Sequence, residues 1–243
     1  MCLFVTFSPC HAMNCIELDS FDLQRLGLSP EETIFVDTGA NIGSISFPVA
    51  AKGFKVISIE AMDYNVNAMR ASLCLNPQLS KRVTIYEAAL GKEHAECNFF
   101  SGKDNVGDAY LSCDPNRKAS QGYQFRSKIY LQTLDELFGD FGKIAGRVGA
   151  LKIDVEGAEP WIVRGGEEFF EKVRPLAIVT EVSNMSKDVT GISTYEYMKY
   201  MNQWYDVRDG GFLGRKVSIL DLAPGRKHAP TGDISNMFLT IRR

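Results

Sequence analysis

The sequence predicts an open α/β fold, a mostly parallel β-sheet with helices packed on both faces. Three observations predict it. Short apolar runs alternate with helix-length amphipathic segments from residue 33 onward. The first run, Thr33-Ile34-Phe35-Val36, ends in Asp37 and enters a turn bracketed by Gly39 and Gly43. Another run, Leu151-Lys152-Ile153, ends in Asp154 and enters an acidic turn, Val155-Glu156-Gly157-Ala158-Glu159-Pro160.

After the first strand, residues 41–52 carry Ile42, Ile45, Phe47, Val49 and Ala50 at spacings that suit a helix with one buried side. Residues 55–59 are a short strand ending in Glu60. Residues 63–75 read as a helix, with Asp63 as its N-cap and Asn76-Pro77 as its stop. Residues 82–86 form a third strand, ending in Glu87. Residues 91–127 break the rhythm. They are rich in Gly, Ser, Asn, Asp and Lys, and read as an irregular insertion over the carboxyl edge of the sheet, with one strand near residues 96–100. A strand at 128–132 and a short helix at 134–138 come next. The strand at 149–153 leads into a helix whose first turn accepts Pro160, where a missing N–H costs nothing. Residues 176–180 are a strand ending in Glu181, 194–201 a helix, 204–208 extended, and 236–241 a last strand. No repeat or linker divides the chain, so a short extension over residues 1–30 precedes one domain over 31–243.

Composition narrows the function classes. The chain has 243 residues, 45% hydrophobic and 23% charged, which is ample for a core. A net charge of −3 and a pI near 5.7 argue against a nucleic-acid partner. Residues 208–243 hold seven Lys and Arg against three Asp, a patch that reads as solvated surface. No uninterrupted apolar window of membrane-spanning length occurs, and Met1-Cys2-Leu3-Phe4-Val5-Thr6-Phe7 lacks the charged leader of a secretory signal. The expectation is a cytoplasmic chain without a membrane partner. Six cysteines, Cys2, Cys10, Cys15, Cys74, Cys97 and Cys113, show no CxxC spacing, and read as free thiols in a reducing compartment.

The chemistry lies at the strand ends. Ligands of open parallel sheets bind beyond the carboxyl ends of the strands, where Asp37, Glu60, Asp154 and Glu181 all stand. Asp37 lies before a tight glycine turn. There a carboxylate repels a pyrophosphate and attracts an ammonium, a contact worth roughly 4 kcal/mol at about 4 Å and an effective dielectric near 20, before desolvation. A zwitterionic adenosine ligand, S-adenosylmethionine, fits that site. Glu60 comes 21 residues after Gly39, the spacing of an acid that accepts from ribose hydroxyls. Glu87 stands where an adenine amine would lie. At the second turn Asp154 is the candidate base for an acceptor hydroxyl, although its ordinary pKa of about 3.9 makes it weak. With Glu156 or Glu159 it would also offer oxygen ligands to Mg²⁺. Glu156 and Glu159 equally complement a helix N-terminus. His11, His94 and His228 show no ligand spacing, and Trp161 and Trp204 read as packing residues.

Taken together, 35–43 (FVDTGANIG) and 151–159 (LKIDVEGAE) resemble the FkbM family of S-adenosylmethionine-dependent methyltransferases, as do Glu87-Ala88-Ala89-Leu90-Gly91 and Thr133-Leu134-Asp135-Glu136-Leu137. The resemblance spans roughly residues 32–182 and implies a class I methyltransferase (Rossmann-like) fold, seven-stranded with an antiparallel last strand. It implies O-methylation of a hydroxyl on a small molecule or glycan. The cofactor-binding positions are then Asp37, Gly39, Ala40, Asn41, Gly43, Glu60, Ala61, Glu87 and Ala88, and the catalytic positions Asp154 and Glu156. Ala61 replaces the proline that often follows the second-strand acid. Two rival readings stand beside this one: a binding module of the same fold without turnover, and a nucleotide-dependent oxidoreductase. The oxidoreductase needs GxGxxG where this chain has an acid followed by GxxxG.

Overall fold

The computed structural model describes residues 23–103, 109–224, 226 and 235–242. Expectations attached to Met1–Phe7, Cys2, Cys10, Cys15, His11, Lys227, His228 and Arg243 lie outside these residues. The chain enters through a 3-10 turn, Leu23–Leu26, whose Leu23 is buried. It then runs β1 (Ile34–Thr38), α1 (Ser46–Ala51), β2 (Lys55–Glu60), α2 (Asp63–Leu75), α3 (Pro77–Ser80) and β3 (Val83–Glu87). Next come β4 (Ala89–Leu90), β5 (Ala95–Gly102), β6 (Ala109–Ser112), β7 (Tyr123–Gln132) and α4 (Leu134–Phe138). The last stretch holds β8 (Val148–Ile153), α5 (Glu159–Arg164), α6 (Glu167–Lys172), β9 (Ala177–Val182), α7 (Met185–Thr190), α8 (Thr194–Met201), β10 (Tyr205–Asp209), β11 (Arg215–Lys216) and β12 (Ser235–Ile241).

The main sheet has the order β11-β10-β12-β9-β8-β1-β2-β3. Strands β3, β2, β1, β8 and β9 pair in parallel, and β12 runs antiparallel between β9 and β10. The expected antiparallel last strand is therefore present. The count is eight rather than seven, because the two-residue β11 adds an outer edge to β10. Every residue of β1, β8 and β9 is buried, as befits central parallel strands covered on both faces. Alternation splits the core into two layers. Ile34, Val36, Leu151, Ile153 and Ile178 pack with α5, α6 and α8, and Phe35, Val56, Ala150 and Val179 pack with α1 and α2.

Four local differences from the sequence reading have physical causes. The helix expected over residues 41–52 begins only at Ser46, because Asn41 (φ 52°) and Gly43 (φ 87°) are left-handed and cannot be helical. Asp63 is the first residue of α2 and not its cap; Met62 occupies the cap and supplies no side-chain bond. The insertion is not irregular. Strands β4, β7, β5 and β6 form a second sheet in that order, with long antiparallel pairing between β5 and β7. Finally, Cys97 and Cys113 are not free thiols but form a disulfide across β5 and the end of β6. The pairing Asn98↔Ser112 brings these two cysteines opposite one another one step further on. Only the strand register shows this, since the two lie 16 residues apart in sequence with no spacing motif. Among the described residues, no helix is long and apolar enough to cross a membrane.

Candidate functional site

Strand register assembles the site. Ser58, Asp37 and Lys152 are direct neighbours across β2, β1 and β8. One pleat further along, the same alternation brings Glu60, Gly39, Asp154 and Glu181 to the carboxyl tips of four adjacent strands. All of these lie on the face that α1 and α2 cover. The apolar layer of that face thus ends in a polar row and then in an open cleft.

Asp37 belongs to the inner row. It is fully buried and does not line the cleft. Its Oδ2 accepts from Ser46 Oγ at 2.6 Å, and Oδ1 faces Lys152 Nζ at 3.7 Å. Burial raises its pKa, and the Lys152 ammonium opposes that rise. The ammonium that Asp37 meets is therefore the protein's own. Lys152 also donates to Asp154 Oδ2 at 2.8 Å, so one cation serves carboxylates in both rows.

The cleft is about 1000 Å³ including its open mouth. Thr38, Gly39, Ala40 and Asn41 line one side. Glu60, Ala61, Ala88 and Leu90 line the next, Phe99 and Tyr110 of the second sheet roof it, and Lys152, Asp154 and Glu156 close the far end. Gly39 is required twice over. Its φ of 77° is left-handed, and a Cβ there would lie 1.8 Å from the Asp154 carbonyl oxygen. The two acidic turns thus pack backbone to backbone. Asn41 and Glu156, non-glycine residues at φ 52° and 54°, both line the cleft, so left-handed backbone concentrates where a ligand would sit.

Glu60 is 7% exposed and held from its own chain. Oε2 accepts from Asn41 N at 2.8 Å; Oε1 accepts from Met62 N at 2.9 Å and Asn65 Nδ2 at 3.2 Å. A carboxylate offers about four acceptor positions, so these three bonds leave roughly one, on Oε2. At the far end, Glu159 is fully buried. Its Oε1 accepts from Val155 N and Gly157 N, both at 3.0 Å, and Oε2 accepts from Ser186 Oγ at 3.3 Å. Burial raises its pKa. Glu159 clamps the Asp154–Gly157 turn and is turned away from any shared metal with Asp154. Among the described residues no group of three or more His, Cys, Asp or Glu is placed to hold a metal ion. Beside Asp154, Glu181 has a buried Oε2 with no hydrogen-bond partner, and burial together with Asp154, Glu156 and Glu159 pushes its pKa up to about 9.

The structure brings together Gly39, Ala40, Asn41, Glu60, Ala61, Ala88, Asp154 and Glu156 on one cleft. It leaves three expected positions off the lining. Asp37 lies beneath it, Gly43 supports it by packing on Phe47, and Glu87 is exposed and paired with Arg70 at 3.1 Å. His94 is exposed and bonded to Glu136 at 2.9 Å, away from the lining residues. Lys152, Asn65, Phe99 and Tyr110 went unassigned in the sequence. Strand alternation signals Lys152, two residues before Asp154 and so on the same face. Nothing in the sequence signals Phe99 or Tyr110, which reach the cleft only because the insertion folds as a sheet.

The sequence profile described as "Methyltransferase FkbM domain" matches residues 37–212. The chain belongs to the FkbM methyltransferase family. It is 24% identical over 241 residues to the mitochondrial ubiquinone biosynthesis O-methyltransferase of Arabidopsis thaliana, covering 94% of this chain and 70% of that protein. Among solved structures it resembles the methyltransferase FkbM of Methylobacillus flagellatus KT, with a TM-score of 0.50 and 16% identity over 90% of this chain and 46% of that one. It also resembles the bifunctional kinase-methyltransferase WbdD, with a TM-score of 0.51 and 14% identity over 96% of this chain and 40% of that one. The chain spans less than half the length of either solved protein. At these identities the two likenesses show the fold.

Proposed function

We propose that this chain is an S-adenosylmethionine-dependent O-methyltransferase acting on a hydroxyl of a small molecule or glycan. The observation that carries the reading is the cleft itself. It sits at the carboxyl tips of β2, β1 and β8, has an acid with one spare acceptor position at one end, and has the Lys152-held carboxylate of Asp154 at the other. The cleft fits an adenosyl amino acid. Ile59, Ala61, Ala88, Leu90 and Phe99 supply apolar walls for a flat base, and Glu60 Oε2 faces the place for a ribose hydroxyl.

Bound S-adenosylmethionine would supply an electrophilic methyl on a positively charged sulfur. The protein supplies geometry and a proton acceptor. Lys152 holds Asp154 Oδ2, which fixes that carboxylate at the cleft end and leaves Oδ1 for an acceptor hydroxyl. Asp154 would take the hydroxyl proton as the acceptor oxygen bonds the methyl carbon and the carbon–sulfur bond breaks, the sulfur leaving as a neutral thioether. Glu159 keeps the turn rigid, and Glu156 lines the cleft at the same turn.

Incubation with S-adenosyl-[methyl-14C]methionine and a panel of hydroxylated acceptors tests the reading. Label in an alkali-stable ether product supports it. Cofactor binding without label in any acceptor favours a binding module, and stabilisation by NAD but not by S-adenosylhomocysteine favours an oxidoreductase.

A further inference from the structure

Part of the cleft roof hangs on a weakly supported strand. Strand β6 carries Ala109, Tyr110 and Leu111, all on the cleft lining. It is four residues long and stands at the edge of the second sheet, so among the described residues β5 is its only strand neighbour. Its other side is not closely packed. A cavity of about 680 Å³, including its mouth, is lined by Tyr110, Leu111 and Ser112 and reaches Met185 and Val189 of α7. The strand therefore has room to shift away from the cleft. By contrast β5, which carries Phe99, is paired with β7 along its whole length.

One covalent bond ties this strand down. Register sets Phe99 opposite Leu111, and the Cys97–Cys113 disulfide is the next pair along on the same face. Both cysteines share an apolar cluster with Ala61, Ala89 and Leu111, all three on the cleft lining. The disulfide thus lies in the layer directly behind the roof. Its helpers are modest. Four residue pairs join β6 to β5, Tyr110 stacks on Phe100 with centroids 5.1 Å apart, and Ser120 N donates to the Tyr110 hydroxyl oxygen at 3.0 Å. Pairing with one neighbour over so short a length is marginal by itself.

Resting on the cofactor reading of the cleft, we propose that the Cys97–Cys113 disulfide is a redox-sensitive latch: closed, it holds β6 over the bound cofactor, and reduced, it lets β6 move off toward the second cavity. The reductant is a dithiol. One of its thiolates attacks the sulfur of Cys113, which is half-buried, and the fully buried Cys97 leaves as a thiolate and takes up a proton. The second thiol of the reductant then displaces Cys113, which also takes up a proton, and the reductant's own disulfide closes. Two electrons and two protons have passed to the protein. The effect on binding follows from occupancy. A roof in place one-tenth of the time weakens cofactor affinity about tenfold.

The test pairs calorimetric titration of S-adenosylhomocysteine with hydrogen exchange of the β6 amides, on the oxidised chain and on the chain reduced by dithiothreitol. Reduction is expected to weaken binding about tenfold or more and to speed exchange in β6, with exchange in β1 and β8 unchanged as the sign of an intact fold. Reoxidation restores both. The double variant Cys97→Ser, Cys113→Ser binds as weakly as the reduced wild type and ignores dithiothreitol. A response to dithiothreitol that persists in this variant traces to another thiol, such as the exposed Cys74, and overturns the proposal. So does equal affinity in the oxidised and reduced chains. Failure of both chains to bind S-adenosylhomocysteine, with β6 exchange still governed by the reductant, strikes the cofactor reading and leaves the latch on β6 standing.

Discussion

Glu60 and Glu181 occupy equivalent places, each at the carboxyl tip of a parallel strand on the same face of one sheet, yet their surroundings are opposite. Glu60 takes three donors, two from backbone N–H groups of the turns beside it. Glu181 has a buried oxygen with no donor and three carboxylates around it. The difference comes from the turns at the strand tips. After β1 and β2 the chain aims N–H groups back at Glu60, that of Asn41 from a left-handed residue. After β8 the corresponding N–H groups of Val155 and Gly157 go to Glu159 instead. A strand-end acid is thus a ready hydrogen-bond acceptor or a costly buried group according to where the next turn sends its amides.

Gly39 joins the two ends, and its substitution gives the largest expected effect. In Gly39→Ala the new methyl collides with the Asp154 carbonyl oxygen at a left-handed residue. Loss of roughly 4 kcal/mol or more in urea unfolding is expected, with the cleft disrupted at both ends. A near-neutral change would separate the two turns. Next, Asp154→Asn keeps the shape of the far end but removes its proton acceptor. Turnover falls about 10²-fold or more while affinity for S-adenosylhomocysteine is retained. Undiminished turnover would remove Asp154 from the chemistry.

At the near end, Glu60→Ala strips the acceptor from Asn41 N and Met62 N and from the ligand. Cofactor affinity weakens by about 10- to 100-fold, which is ~1.4–2.8 kcal/mol. The effect expected at Glu181 is set by pH and is smallest in acid. Its pKa is raised from 4.5 to about 9, so the folded state favours the neutral acid. Linkage sets the sign. The unfolded chain loses this proton near the ordinary value and the folded chain only near 9, so stability is full at low pH and declines as pH rises between the two. Glu181→Gln keeps the neutral form at every pH. Its melting temperature should exceed that of the wild type by a margin that widens from about pH 5 to pH 9, at roughly 2–4 °C for each kcal/mol. A constant margin would mean that Glu181 is not held neutral.

Much of the main sheet was legible because its strands are short apolar runs with acids at their tips, and because glycine turns announce themselves. Gly39, Asn41, Glu60 and Asp154 all line one cleft. Asp37 shows where such reading stops. Its position in sequence gives its place at the strand end, but not that Lys152 stands in register beside it and takes the role assigned to a ligand. The second sheet was legible only in pieces. Polar composition over residues 91–127 suggested loops, whereas the antiparallel pairing of β5 with β7 supplies the hydrogen bonds that composition does not reveal. The Cys97–Cys113 bond and the Phe99–Tyr110 roof both arise from the way β5 pairs with its neighbours.

The central claim is that the cleft between Glu60 and Asp154 holds an adenosyl amino acid, with Glu60 reading its ribose. Calorimetric titration of S-adenosylhomocysteine into the wild type and into Glu60→Gln tests it most directly. The account predicts one-to-one binding to the wild type and an affinity at least about tenfold weaker in the variant, a change of ~1.4 kcal/mol. Absence of binding to a folded wild type, or equal affinity in the two, would contradict it.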